Sequence, residues 1–267
     1  MSDELFNGEA YQILAQAYND YVATFRQSDG TLEKMMALKL AHTHHVVENA
    51  RLIAEGEKFD VRTARLCEAA ALLHDTGRYE QLRRYNTFQD SESVDHAVFS
   101  HDIVVEKGWL KACPDRKIIL DAVRFHNRRE IPAELSDGVA RAVARTVRDA
   151  DKLDIFRVLE DQFEHTDWRH DTRAFWNLAI DASPNPLIVA AIREGSAIDY
   201  QHIHSLADFV LIQVGWMISG LEFASSRRLT LERDHLAYRR RFLNEIVHTA
   251  VIDELCDLAE KALSRPN

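Results

Sequence analysis

The chain has 267 residues, of which 46% are hydrophobic and 28% are charged, a composition typical of a folded globular protein. Its formal net charge of −10 argues against binding to a nucleic-acid backbone, because no basic excess is available to replace the counterions. Nine glycines and five prolines are few for this length, and together with long helical periodicities they predict an all-α fold with short connections.

Apolar residues recur at helical spacing along most of the chain. In the first half, this spacing predicts helices over residues 8–27, 32–55, 61–74, 93–107, 114–125 and from 139 onward. In the second half, it predicts helices over residues 187–193, 203–223 and 231–263. Residues 79–94 are polar and aromatic without an apolar period, so we expect a loop there. We expect one all-α domain over residues 1–267, with helices from 156–267 packed on a core formed by 38–155.

The cysteines and the N-terminus bear on the compartment. The three cysteines, Cys67, Cys113 and Cys256, are too widely spaced for a disulfide framework or a zinc-binding pair, so a reducing environment is expected. The first residues are acidic and lack the apolar core of a signal peptide. The most apolar window, residues 206–221, contains Asp208 and Gln213 and is too short to span a bilayer. We therefore expect a cytoplasmic protein with no membrane partner.

Residues 69–78 join an apolar, alanine-rich helical run to adjacent His74 and Asp75, with Gly77 two residues later. Neighbouring residues on a helix point in different directions, but their side chains converge if the helix ends there and the chain turns at Thr76 and Gly77. Nitrogen and carboxylate oxygen at a buried helix end suit a divalent metal. An ordinary helix C-terminus, with histidine near the negative end of the dipole followed by glycine, is the alternative.

Other polar residues interrupt the apolar faces of other predicted helices. With the adjacent pair they form a set of imidazole and carboxylate groups: His42, His74, Asp75, His96, His126 and Asp151. A single histidine on an apolar face is more often a hydrogen-bonded core residue, but each isolated polar burial costs about 1–3 kcal/mol. A divalent cation offsets that cost, because it coordinates neutral imidazole and neutralises carboxylate. The whole set therefore favours a metal site.

The order of these residues resembles the HD superfamily of metal-dependent phosphohydrolases. Residues 42–46, His-Thr-His-His-Val, resemble its first motif, His74-Asp75 is similar to the second, and Asp151-Lys152-Leu153 to the last. The resemblance covers about residues 38–155 and implies a helical bundle of the HD-domain type with additional C-terminal helices.

The resemblance also implies a ligand set, because members with two metals carry two further histidines that His96 and His126 match. One metal would be held by His42, His74, Asp75 and Asp151, and a second by Asp75, His96 and His126, with Asp75 bridging. The cofactor would be one or two divalent ions, with Mn, Fe, Ni, Mg and Zn all open. Gly-Tyr-Pro is absent and Phe125-His126-Asn127 replaces His-His-Glu, so the substrate of the cyclic-di-GMP-cleaving subclass loses support.

Several arginines are candidates for binding a phosphate. Arg78 follows the His-Asp pair by one turn, and its guanidinium could bind two phosphate oxygens; a solvated surface arginine is the alternative. We expect Asp75 and Arg78 to be the catalytic residues. Arg83 and Arg128 are expected to form a substrate-binding rim, with solvated loop charges as the alternative. Residues 239–241, three consecutive arginines, are expected on a solvated helix face.

The function expected from the resemblance is metal-dependent hydrolysis. The substrate would be a phosphomonoester or phosphodiester in a small phosphorylated metabolite or nucleotide, attacked by a metal-bound hydroxide. An HD-type di-iron oxygenase uses the same ligands and is one alternative; a non-catalytic nucleotide-binding regulatory module is another. The sequence leaves the oligomeric state open.

Overall fold

The computed structural model describes residues 6–133, 135, 138–170, 178–196 and 198–265, and by its internal contacts the chain divides into two units. The first unit ends at Asp154 and the second begins at Ile155. Within the described ranges the regular structure is helical and contains no β-strand, which confirms the all-α prediction. No helix in the same ranges has both the length and the apolarity needed to cross a membrane.

The first unit is built from α1 to α6 and the beginning of α7. These helices span Gly8–Ala23 (α1), Lys34–Gly56 (α2), Val61–Leu73 (α3), Gly77–Tyr85 (α4), His96–Lys107 (α5), Arg116–Phe125 (α6) and Gly138–His165 (α7, which continues into the second unit). A short 3-10 turn at Asp90–Glu92 precedes α5. Residues 79–94 therefore do not form the expected loop, because α4 and this turn occupy most of the stretch.

Helix α3 is the central element of this unit. It begins at Asp60, whose carboxylate accepts a hydrogen bond from the Thr63 amide at 2.9 Å. Its side chains are buried from Leu66 to Leu73, and it packs against α1, α2 and α6. Its last residues, 69–73, are apolar and buried on every side, and the alanines among them allow the neighbouring helices to approach closely. The two residues that follow its C-terminus, His74 and Asp75, consequently lie in the interior.

In the described residues of the second unit, the end of α7 is followed by five further helices. These are Pro186–Arg193 (α8), Leu206–Gly215 (α9, followed by a π-helical turn at Trp216–Gly220), Ala224–Glu232 (α10), His235–Ile246 (α11) and Ala250–Leu263 (α12). Helix α12 packs against each of the other four. The prediction of a single helix over residues 231–263 is wrong. Asp234 takes a left-handed conformation with φ of 56° between α10 and α11, and the backbone is extended at Thr249 before α12. The packing of these helices on the first unit stays a prediction.

Arg239 lies inside the second unit, so the expectation of a solvated face is wrong for this residue. Its guanidinium is fully buried and donates hydrogen bonds to Gln213 Oε1 at 2.6 Å and to the carbonyl of Phe156 at 3.0 Å. It also forms an ion pair with Glu160 at 2.5 Å, and His235 Nδ1 lies 2.8 Å from the same carboxylate oxygen. Burial opposes ionisation of Glu160, but its bond to His235 and the charge of Arg239 outweigh that effect and lower its pKa.

Candidate metal centre

The site is built around a sharp turn between α3 and α4. Helix α3 ends at Leu73, and the hydroxyl of Thr76 donates to the Leu73 carbonyl at 2.9 Å, closing the turn. Gly77 then begins α4, and its amide donates to Ser100 Oγ on α5 at 2.8 Å. A Cβ on Gly77 would lie 2.8 Å from the Ser100 backbone nitrogen. Gly77 therefore serves the close approach of α4 to α5 rather than the C-terminal cap considered from the sequence.

His74 and His126 occupy equivalent positions, each immediately after a helix. Nδ1 of His74 lies 2.7 Å from the Ala71 carbonyl, and Nδ1 of His126 lies 2.7 Å from the Val123 carbonyl. A carbonyl only accepts hydrogen bonds, so both Nδ1 atoms must carry the proton and donate it. In the neutral ring the unprotonated nitrogen is then Nε2, which is the arrangement of a metal-binding histidine.

His42 and His96 are held by carboxylates instead of carbonyls. Nδ1 of His42, in the middle of α2, lies 2.7 Å from Asp154 Oδ2, and Nδ1 of His96, at the start of α5, lies 2.5 Å from Asp90 Oδ2. A carboxylate accepts the Nδ1 proton and fixes the ring orientation, as the outer partners of metal-binding histidines do. All four Nε2 atoms are thus left with a lone pair when the rings are neutral.

These four Nε2 atoms meet in pairs. The Nε2 atoms of His42 and His74 are 3.4 Å apart, and those of His96 and His126 are 3.1 Å apart. Two lone pairs at that distance cannot form a hydrogen bond, because neither atom has a proton to share. A cation between them would satisfy both. The donor chemistry therefore fits a divalent metal, and the two pairs point to two positions for one.

Asp75 and Asp151 supply oxygen to this histidine cluster. Asp75 Oδ2 lies 3.6 Å from His42 Nε2 and 3.5 Å from His74 Nε2, whereas Asp75 Oδ1 lies 3.7 Å from His96 Nε2 and 3.8 Å from His126 Nε2. The two oxygens thus face different histidine pairs.

Asp151 Oδ1, from α7, is 3.1 Å from His42 Nε2 and 3.9 Å from His74 Nε2. The structure brings together all six residues that the sequence predicts as metal ligands, and three of the four groups that could hold an ion consist only of these residues; the fourth joins His96 to Asp90 and Asp95. The three are His42 with His74 and Asp75; His74 with His126 and Asp151; and Asp75 with His96 and His126.

Burial and charge set the protonation of this cluster. Burial lowers the pKa of His74 and, aided by the neighbouring His96, lowers that of His126 to about 3, so both rings are neutral at physiological pH. Burial also opposes the ionisation of Asp75, but Lys39 and the other nearby cations outweigh it and hold the pKa of Asp75 well below its usual range. Neutral imidazoles and an ionised carboxylate are the forms that bind metal.

Arg78 lies beside the site and is held firmly by the chain. Its Nη1 donates to Gln81 Oε1 at 2.7 Å, to the Phe88 carbonyl at 2.8 Å and to Asp90 Oδ1 at 3.0 Å. Its Nε is 3.5 Å from Asp75 Oδ1. Arg78 therefore connects Asp75 with Asp90, the carboxylate that orients His96.

The other two arginines predicted to bind substrate, Arg83 and Arg128, contact different residues. Arg83 pairs with Glu80 on the same helix at 2.5 Å and lies over the ring of Phe25. Arg128 pairs at 2.9 Å with Asp95, the residue that caps the start of α5 next to His96. Of the two, Arg128 is the one whose ion-pair partner, Asp95, is adjacent in sequence to the candidate ligand His96.

Sequence reasoning overlooked three residues that contact the ligands. Asp154 orients His42 and Asp90 orients His96, and Asp90 lies in the stretch expected to be a loop. The third is Lys39, whose Nζ is 2.7 Å from Asp75 Oδ2. The available signal was its position on α2, three residues before His42 and hence on the same face of that helix.

Comparison with protein families agrees with this geometry. Residues 40–155 match the family model described as the HD domain, a span that contains all six candidate ligands. This part of the chain is an HD domain. The resemblance inferred from the ordered motifs is thereby confirmed, and its expected limits of 38–155 nearly coincide with the match. No curated protein and no solved structure matches the chain.

Proposed function

We propose that this HD-domain protein is a metal-dependent phosphohydrolase that cleaves a phosphomonoester or phosphodiester in a small, nucleotide-like molecule. The observation that carries the proposal is the convergence of four Nε2 lone pairs on two carboxylates inside the HD domain. Burial lowers the pKa of His74 and His126, so these rings are already in the form that binds a cation. Burial also opposes protonation of His42, but its bonds to Asp151 and Asp154 outweigh that effect and raise its pKa, so His42 would release a proton when a metal binds.

The two carboxylate oxygens of Asp75 face different pairs of histidines, which supports two metal positions. Oδ2 with His42, His74 and Asp151 would hold one ion, and Oδ1 with His96 and His126 would hold the other. When bound, such ions lower the pKa of a coordinated water to near neutrality and neutralise charge developing on phosphoryl oxygens. The chain's own contribution is to fix the ligands: Asp154 and Asp90 hold the rings of His42 and His96 so that Nε2 stays directed inward.

The charge around the cluster supports an anionic substrate. Four carboxylates (Asp75, Asp90, Asp151 and Asp154) face two cations (Lys39 and Arg78), which leaves two more negative than positive charges. Two divalent ions would reverse this balance to an excess of two positive charges. A phosphate monoester carries up to two negative charges near neutral pH, so it is the class of ligand that the loaded site would attract.

The proposal is tested with the His74→Ala, Asp75→Ala double variant. Metal content and hydrolysis of a panel of phosphorylated metabolites and nucleotides should be lost together, whereas His44→Ala, at an exposed position of the same α2 helix as His42, should retain both. Turnover by the metal-free double variant would contradict metal-dependent hydrolysis. If the wild-type protein bound iron, consumed oxygen and left every phosphate ester intact, the oxygenase alternative would replace the proposed function.

A further inference from the structure

Lys39, on α2, contacts a candidate metal ligand directly. Its Nζ forms an ion pair with Asp75 Oδ2 at 2.7 Å, and 18% of its side chain remains exposed. The same ammonium group lies 5.7 Å from the ring centroid of Phe88. Lys39 therefore joins the buried cluster to the solvent-exposed surface.

Resting on the proposed function, we propose that Lys39 binds the phosphoryl group of the substrate, and that its ion pair with Asp75 is a resting contact that metal binding releases. Asp75 Oδ2 is the oxygen that faces His42 and His74. An ion held by those three groups would take over the oxygen that Lys39 now contacts. The ammonium would then lie next to a cation without its carboxylate partner, and the two positive charges would repel.

A phosphoryl oxygen placed between the ion and Lys39 removes that repulsion, because it is negative and can accept a hydrogen bond from the ammonium. Metal binding and anion binding are thereby coupled through one side chain. Without the anion, Lys39 competes with the metal for the carboxylate of Asp75. With the anion present, Lys39 stabilises the metal-bound state. This coupling is what distinguishes a substrate-binding lysine from a lysine that only neutralises a buried carboxylate.

Arg78 is the alternative phosphate ligand, and its contacts assign it a different role. Three acceptors, from Gln81, Phe88 and Asp90, hold its Nη1, and its guanidinium lies 5.5 Å from the ring centroid of Phe88. These Nη1 bonds fix the guanidinium and support Asp90, the carboxylate that orients His96, so displacing Arg78 would loosen that carboxylate. We therefore assign Arg78 the role of a positioning residue for the metal ligands.

The experiment compares Lys39→Gln, Arg78→Gln and Lys34→Gln by calorimetry. Lys34 is an exposed lysine at the start of the same helix and serves as the matched control. Mn²⁺ is titrated into metal-stripped protein, and inorganic phosphate is then titrated into the Mn²⁺-saturated protein. Circular dichroism verifies that each variant retains the wild-type helix content.

Lys39→Gln should bind Mn²⁺ as tightly as the wild type or more tightly, and should bind phosphate about 10- to 100-fold more weakly, the range expected for loss of a hydrogen bond to a charged group. Arg78→Gln should weaken Mn²⁺ binding, and Lys34→Gln should change neither affinity. Unchanged phosphate binding in Lys39→Gln would overturn the inference, as would loss of its Mn²⁺ binding in a folded variant. Absence of phosphate binding to the Mn²⁺-loaded wild type would overturn it as well.

These titrations require no turnover, so they separate the inference from the proposed function. Phosphate binding that depends on Lys39, combined with no hydrolysis of any ester in the panel, would contradict the proposed function and leave the role of Lys39 standing. Hydrolysis by the wild type with the same phosphate affinity in Lys39→Gln would contradict the role of Lys39 alone.

Discussion

The close contact at Gly77 leads to a prediction about the metal centre. Replacing Gly77 with alanine would place a Cβ 2.8 Å from the Ser100 nitrogen and 3.1 Å from the His96 carbonyl, where ordinary contacts begin at 3.4 Å. Both neighbours are backbone atoms of α5 and cannot rotate away. Helices α4 and α5 would have to separate by about 0.6 Å, comparable to the ~0.5 Å within which a functional site must be held.

Two effects of opposite sign decide the stability of Gly77→Ala. Alanine in a helix is favoured over glycine by up to about 1 kcal/mol, whereas overpacking costs about 1–3 kcal/mol. The contact is with backbone, so we expect overpacking to win and the free energy of unfolding to fall. Because α5 carries His96, the affinity of the second metal position should fall by at least about tenfold, since this displacement exceeds what the site tolerates. The position built on His42 should be affected less.

The assay is a calorimetric titration of metal-stripped protein with Mn²⁺, combined with thermal unfolding. Gly8→Ala is the matched control, because Gly8 also begins a helix and, among the described residues, no atom would crowd its Cβ within 4 Å. Adding Ser100→Ala should not restore Gly77→Ala, since the nearest atom is the backbone nitrogen and not the hydroxyl. Wild-type stability and two unchanged Mn²⁺ affinities in Gly77→Ala would refute the reasoning.

Three further predictions concern residues at and away from the cluster. Asp154→Ala should weaken metal binding about 10- to 100-fold, because it removes the acceptor that orients His42, and titration with Mn²⁺ measures this loss. Arg239→Ala should lower the free energy of unfolding by about 3–5 kcal/mol in urea denaturation, because it leaves the mostly buried carboxylate of Glu160 with only the hydrogen bond to His235, whereas the combined Arg239→Met, Glu160→Gln variant should lose less. Arg83→Ala should change KM for the best phosphate ester less than about threefold, because the described neighbours of its guanidinium are Glu80 and Phe25 and not a candidate metal ligand.

Each of these expectations has an outcome that contradicts it. Wild-type Mn²⁺ affinity in Asp154→Ala would show that His42 is held by other contacts. Equal losses in Arg239→Ala and in the double variant would mean that packing, not the charge of Glu160, dominates. A tenfold rise in KM for Arg83→Ala would return this residue to the substrate-binding rim expected from the sequence.

The six candidate ligands could be predicted because each one interrupts an apolar helical pattern. His42 and Asp151 lie on faces that are otherwise buried, and His74 and His126 each follow the last residue of a helix. Periodicity fixes the phase of such residues along a helix, and their order matches a family. The pairing of Nε2 atoms and the division of the Asp75 oxygens depend on how the helices pack, which no local pattern contains.

The features that could not be predicted share a different physical cause. Helix α4 has a polar sequence, and its exposed arginines are paired with Glu80 on the same helix instead of covering an apolar stripe, so no apolar period is visible. The breaks between α10, α11 and α12 contain neither glycine nor proline, and the first depends on a left-handed Asp234. Lys39 is a single charged residue whose role depends on a partner 36 positions away.

The number of Mn²⁺ ions bound per chain tests most directly whether Asp75 joins two metal positions. Metal-stripped wild-type protein is titrated beside Asp75→Ala and His126→Ala, because we assign Asp75 to both metal positions and His126 to the second. We predict two ions for the wild type, one for His126→Ala, and none at micromolar affinity for Asp75→Ala. Two ions bound with wild-type affinity by Asp75→Ala, or none bound by the wild type, would contradict the assignment of this cluster as a metal centre bridged by Asp75.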